Sequence, residues 1–246
     1  MPGNVASLGL ALALPLAAAA AAAIAGTAAV TLAPMVQGGR IASPWHVVAL
    51  PQQTKPVTQY SAEKVDGRDA VRVEVQASYG NLVHEWPAVA APKHLRWAWR
   101  LQVPNPAVDL RVKAGDDAAV KVCMSFDMGL DRVPFMERQV LKLARSRSAQ
   151  DLPAATLCWV WGAAEAKGAL LPNAYSRRVR YIVLRNREDA LATWFEESRD
   201  VAADFRRAFG DEAADVPPLT ALIVAGDGDN TGGASVAHVS ALRLEP

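Results

Sequence analysis

Apolar and polar residues alternate with a period of two through "AVRVEV" (residues 70–75) and "LRWAWRLQV" (95–103). Successive side chains of a strand point to opposite faces. Val71, Val73 and Val75 therefore share one face, and Leu95, Trp97, Trp99, Leu101 and Val103 line another, with Arg72, Glu74, Arg96, Arg100 and Gln102 turned away. Strands of this kind are half-buried members of an antiparallel sheet. The same reasoning predicts strands over 81–86, 118–126, 156–161, 179–185, 219–225 and 235–244, separated by turn-rich stretches such as "VDGRD", "VPNP" and "KAGDD". Two segments follow a helical period instead. "PFMERQVLKLARSR" spaces Met136, Val140 and Leu143 as a stripe expected to face the core, with Pro134 suited to a first turn. "DVAADFRRAFG" offers Asp200 as a cap, a Val201, Phe205 and Phe209 stripe, Arg206 and Arg207 in the last turn, and Gly210 at the exit. The expected fold is mainly β: an antiparallel β-sandwich of jelly-roll type with one or two short helices.

The 246 residues suffice for a sizeable core, and with 51% hydrophobic and 21% charged residues the chain is not of the disordered class. Lys plus Arg (26) balance Asp plus Glu (25), so no global field favours nucleic acid or a polyanion, and no nucleic-acid partner is expected. Residues 1–37 carry no charged side chain. The Leu- and Ala-rich run there ends near Ala23-Ile24-Ala25, an Ala-x-Ala-like processing site, and reads as a secretory signal. An uncleaved anchor is the alternative, since the run exceeds the roughly 20 residues that span a bilayer. A signal or anchor over 1–33, a lead-in over 34–56 and one sandwich domain over 57–246 are thus expected, in a periplasmic or secreted protein that meets a membrane only through its leader.

The candidate chemistry lies in two acidic corners. "VAGDGDNTGG" (224–233) presents Asp227, Asp229 and Asn230 as hard oxygen ligands among glycines, a composition that suits calcium. The flanking helices and closing Glu of an EF-hand are missing, and a tight turn in which Asp and Asn bond their own backbone accounts for the same residues. "KAGDDAAV" places Asp116 and Asp117 just before a strand. Strand ends cluster at sandwich rims, and carboxylates gathered there need a cation or protons to relieve their repulsion. Cys123 and Cys158 lie in strand-like runs and read either as a disulfide or as two buried thiols; without neighbouring histidines they do not make a zinc site. His46, His84, His94 and His238 have no nucleophile context, and His84 reads as a sheet residue. A carboxylate pair for glycoside hydrolysis could be drawn from Glu196, Glu197, Asp116 and Asp229, though no spacing selects it. Trp97, Trp99, Trp159 and Trp161 are expected in the core, whereas Trp86, Tyr175 and Trp194 stand beside polar residues where a ring can stack on a sugar.

Taken in order, "LRWAWRLQV", "KAGDDAAVKVCMSFD", "TLCWVWG", "NAYSRRVRYIVLR", "DVAADFRRAFG" and "GDGDNTGG" resemble the bacterial DUF3047 family, a domain of unknown function, over residues 60–244. The resemblance implies export and a β-sandwich and brings no established activity. Its acidic motifs fall on Asp116, Asp117, Asp227, Asp229 and Asn230; "WGAAEAKG" departs from it by placing small residues after Trp161. The expected function is a non-catalytic module for a carbohydrate or another cell-envelope ligand. Its expected ligand contacts are Asp116, Asp117, Tyr175 and Arg178, with calcium as a candidate cofactor at Asp227, Asp229 and Asn230. A glycan hydrolase and a ligand-free structural envelope protein are the alternatives.

Overall fold

The structure, a computed structural model, describes residues 30–50, 52–147 and 152–246. Most of the segment 1–33, expected to be a signal or anchor, therefore lies outside the described residues. In chain order the elements are β1 (Val36–Gln37), β2 (Arg40–Ile41), β3 (His46–Val48), β4 (Gln59–Val65), β5 (Arg68–Gln76), β6 (Asn81–Val89) and β7 (His94–Val103). Next come β8 (Ala118–Phe126), α1 (Phe135–Arg147), β9 (Ala155–Trp161), β10 (Leu170–Pro172) and β11 (Val179–Arg185). The chain ends through β12 (Phe195–Asp200), α2 (Val201–Phe209), β13 (Leu219–Asp227) and β14 (Ala234–Glu245).

Two sheets face each other as a jelly-roll sandwich, one of seven strands in the order β10-β11-β9-β8-β13-β6-β3 and one of five in the order β12-β7-β14-β5-β4. An isolated parallel bridge joins Val57 to Tyr79. Among the described strands, pairing is antiparallel except between β9 and β11, which run parallel. That exception follows from β10, which lies antiparallel on the outer side of β11 and takes part in the return between them. The segment 34–56 is not only a lead-in: it supplies edge strand β3, paired with β6.

The alternating residues meet where expected, save Val103, which is exposed at the end of β7. Trp97 and Trp99 of β7 contact Trp159 and Trp161 of β9 across the sandwich at 5.6 and 5.8 Å between ring centroids. All four rings are buried, and three indole N–H groups find acceptors, in Glu197, Asp204 and the Asn186 carbonyl. Asp200 caps α2 by accepting from the Ala203 N–H at 2.8 Å, and the Val201, Phe205 and Phe209 stripe is fully buried, Phe205 meeting Phe126 at 4.9 Å.

Helix α1 departs from its expectation. Met136, Val140 and Leu143 point outward, and the helix is held instead by buried Leu141 and by Glu137, which pairs with Arg178. The period identifies a stripe but not what lies beneath it, and here a buried arginine and Leu141 claim the inner side.

On the outer face of the seven-stranded sheet, Cys123 and Cys158 sit opposite each other on β8 and β9 and form a disulfide. Val108, Leu110, Val160, Tyr181 and Val183 pack around it as a second small core. The bond closes a loop of sequence separation 35, for which chain entropy predicts a stabilisation of about 2–4 kcal/mol. Replacing both cysteines by alanine should lower the unfolding free energy by that amount in denaturant titration; an unchanged value would mean that strand pairing alone fixes this region.

Candidate functional site

The turn joining β13 to β14 folds back across the start of β8 and brings the two acidic corners together. Asp117 is the clasp. Its Oδ1 accepts from the Asn230 backbone N–H at 3.3 Å and side-chain amide at 3.1 Å, and its Oδ2 from the Thr231 N–H at 2.8 Å and hydroxyl at 2.6 Å. The glycines serve this path: Gly232 adopts φ +68°, and Gly233 lies against Asn105 with no room for a Cβ. Asn105 in turn donates to the Thr231 hydroxyl at 2.8 Å.

Behind the clasp, Asp227 accepts from the Ala118 N–H at 2.7 Å and from the Lys121 ammonium at 2.5 Å. Burial opposes the charge on Lys121, but Asp227, with Tyr181 and Tyr79, more than offsets it and holds the ammonium well above the usual lysine range. Lys121 is thus the resident counter-ion of the cluster. Two carboxyls lack such a partner. Asp116, 4% exposed, accepts from the Asn173 side-chain amide at 2.5 Å through Oδ2, while its Oδ1 has no hydrogen bond. Burial pushes its pKa up to about 6, with Lys121 working against the shift and Asp227 adding to it. The half-buried Asp229 is also raised, by burial and then by Asp227 and Asp117, and its Oδ1 likewise has no partner.

Tyr175 stands at the edge of this cluster, 58% exposed, and donates to Asn230 Oδ1 at 2.5 Å. The Lys113 ammonium lies 5.3 Å from its ring centroid. Asp116, Asp117, Tyr175, Asp227, Asp229 and Asn230 therefore share one rim. Arg178 does not join them: it is buried, bonded to Glu212 at 2.5 and 2.8 Å, to the Ala154 carbonyl and to Glu137. Two carboxylates and a carbonyl claim the guanidinium, so it pins α1 and the chain after α2 to the sheet. Trp86 donates to the Thr31 carbonyl and stacks on His84, and Trp194 donates to Asp66 beneath Arg68.

Asp117, Asp227 and Asp229 each offer an oxygen within 4.8 Å of the others. That is the span across a calcium ion with bonds of about 2.3–2.6 Å. Asn230 Oδ1 already accepts from Tyr175, and the Lys121 ammonium already pairs with Asp227. A cation here would share Asp227 with the ammonium.

Sequence reasoning passed over Lys121, Asn173, Tyr181 and Thr231. A signal for Lys121 was present, since it is the lone charge in the apolar run "AAVKVCMSF", and buried charges require partners. Asn173 accepts from the Tyr175 and Ser176 N–H groups, an Asx turn that the "NAYS" spacing permits.

A model of the family described as "Protein of unknown function (DUF3047)" matches residues 43–243. No curated protein matches the chain. Among solved structures, the Trichoderma harzianum endoglucanase 3 from family GH12 is similar over 83% of this chain and 99% of its own, at 7% identity and a TM-score of 0.40. The endoglucanase cel12A from Rhodothermus marinus is similar over 82% of this chain and 95% of its own, at 12% identity and a TM-score of 0.39. Neither likeness bears on the chemistry of the rim.

The raised Asp116 has a consequence for stability. Its pKa moves from 3.8 to about 6 on folding, so its favourable contribution is complete below about 3.8 and is lost as pH rises through about 6. Above that the folded protein carries a buried, poorly solvated charge. Asp116→Asn should therefore stabilise the protein at pH 8, by up to about 2–3 kcal/mol, and lose that advantage near pH 4. Denaturant unfolding at the two values checks this, and equal stability at pH 8 would show an ordinary carboxylate.

Proposed function

The chain belongs to the DUF3047 family, and on that premise we propose that it is an exported, non-catalytic β-sandwich module that binds a cell-envelope carbohydrate at the acidic rim. The observation that carries this reading is the exposed Tyr175 ring at the edge of a cluster in which two buried carboxylate oxygens, Asp116 Oδ1 and Asp229 Oδ1, have no hydrogen-bond partner. Sugar hydroxyls are donors, and bonds to an ionised acceptor are about twice as strong as neutral ones. The apolar face of a pyranose suits a tyrosine ring.

Export is supported by the Cys123–Cys158 disulfide, since such bonds persist in oxidising compartments. Processing at Ala23-Ile24-Ala25 would spare Thr31 and Ala33, whose carbonyls accept from Trp86 and Trp45. A second reading, glycan hydrolysis, draws on one specific observation. A carboxyl raised to about 6 is tuned for general acid work, with Asp229 as the other member of the pair.

Calorimetric titration with chito- and cello-oligosaccharides tests both. The binding reading predicts saturable affinity that Tyr175→Ala or Asp229→Asn weakens at least about tenfold, or about 1.4 kcal/mol, with little change in melting temperature. Affinity should fall as pH drops through about 6, where Asp116 takes up a proton, and no new reducing ends should form. Reducing ends released by the native chain but not by Asp116→Asn would establish hydrolysis instead. Affinity lost on chelation would assign calcium to Asp117, Asp227 and Asp229, and no binding in any of these titrations would overturn the carbohydrate reading.

A further inference from the structure

Helix α1 is built the reverse way from an ordinary surface helix. Phe135, Met136, Val140 and Leu143 are 65%, 71%, 67% and 52% exposed. At about 100° per residue they share one broad outer face. The inner side carries buried Leu141 and Glu137, the latter bonded to Arg177 and Arg178. Of the helix's basic residues, Arg138 and Arg145 are half-buried and donate to the Val133 and Leu152 carbonyls at 3.2 and 2.8 Å. Lys142 is exposed, and in the turn before the helix so are Arg132 and the acidic Asp131.

We propose that α1 docks the protein onto an anionic lipid surface, its four apolar side chains entering the acyl boundary and the exposed Lys142, with Arg132 of the preceding turn, meeting the headgroups. Exposed apolar side chains beside exposed cations suit an interfacial helix. A second copy of the chain fits the charge less well, because a two-fold contact between α1 helices would bring the exposed Lys142 of one copy toward that of the other. The position of α1 agrees. It leaves β8 beyond Phe126, whereas the acidic rim lies at Ala118, the other end of a nine-residue strand. At about 3.3 Å per residue the rim stands roughly 25–30 Å further from the bilayer, with its carboxylates clear of the anionic headgroups. This docking surface is independent of the carbohydrate reading.

The leader of the full chain can itself bind lipid, so the readout must be local to α1. Gln139→Cys, on the exposed face, carries an environment-sensitive fluorophore, the two native cysteines being joined to each other. A control label goes at Ser61→Cys, exposed on β4. With vesicles of phosphatidylcholine containing about one third phosphatidylglycerol, the label at 139 should shift to the blue and be quenched by acyl-chain spin labels. The label at 61 should stay in water. Val140→Asp with Leu143→Asp should reduce this partitioning at least about tenfold, as should high salt. A label at 139 that stays in water on these vesicles, even if the protein sediments with them, overturns the proposal. So does an equal shift on pure phosphatidylcholine, or a concentration-dependent shift without vesicles, which would place a second copy on the stripe.

Discussion

An ammonium and a carboxylate removed from water together lose several kcal/mol of hydration each, and recover it only when they are close and their remaining sites are bonded. Lys121 and Asp227 meet those terms at 2.5 Å, with the Ala118 N–H on the second carboxylate oxygen. Breaking such a pair costs about 3–5 kcal/mol, against about 0–1 kcal/mol for an exposed bridge, so this contact outranks the surface pairs that surround it. It ties the start of β8 to the end of β13, and from that junction Asp117 reaches Asn230 and Thr231. One ammonium cannot neutralise four carboxylates. Burial, with the neighbouring carboxylates adding to it, leaves Asp116 and Asp229 raised, and each keeps an oxygen without a partner.

Much of this fold is legible because burial leaves a periodic trace. β8 and β11 span the residues that their apolar runs predict, since both strands lie inside the larger sheet. β4 leaves a weak trace: "QYSAEKV" sits on a sheet edge, and only Val65 of it is buried. β1, β2 and β3 are two or three residues long, too short for any period. In α1 the stripe was read correctly as one face of a helix and wrongly as the buried face, because Leu141, which anchors it, lies off the stripe.

The site was legible in its residue types but not in its assembly. Asp117 and Asn230 are 113 positions apart, and only the register of β13 against β8 sets them side by side. The cysteine pairing was open for the same reason, being decided by the register of β8 against β9. Arg178 failed as a ligand contact because a sequence does not show which carboxylates will reach a guanidinium first. Its partners Glu137 and Glu212 lie on either side of it, 41 and 34 positions away. The same register separates the molecule's two unusual surfaces, the acidic rim at one end of β8 and the apolar face of α1 beyond the other.

The central claim is that the meeting of the two acidic corners leaves one buried carboxylate oxygen of Asp116 and one of Asp229 without a hydrogen-bond partner, to be satisfied by a ligand's donors. Carbon-13 NMR of the aspartate side-chain carboxyls across pH, without and then with chito- and cello-oligosaccharides, tests it most directly. The account predicts that Asp116 titrates near about 6 and Asp229 above the ordinary 3.8, and that a bound sugar shifts these two resonances most. Two carboxyls titrating at ordinary values and indifferent to these sugars would contradict it.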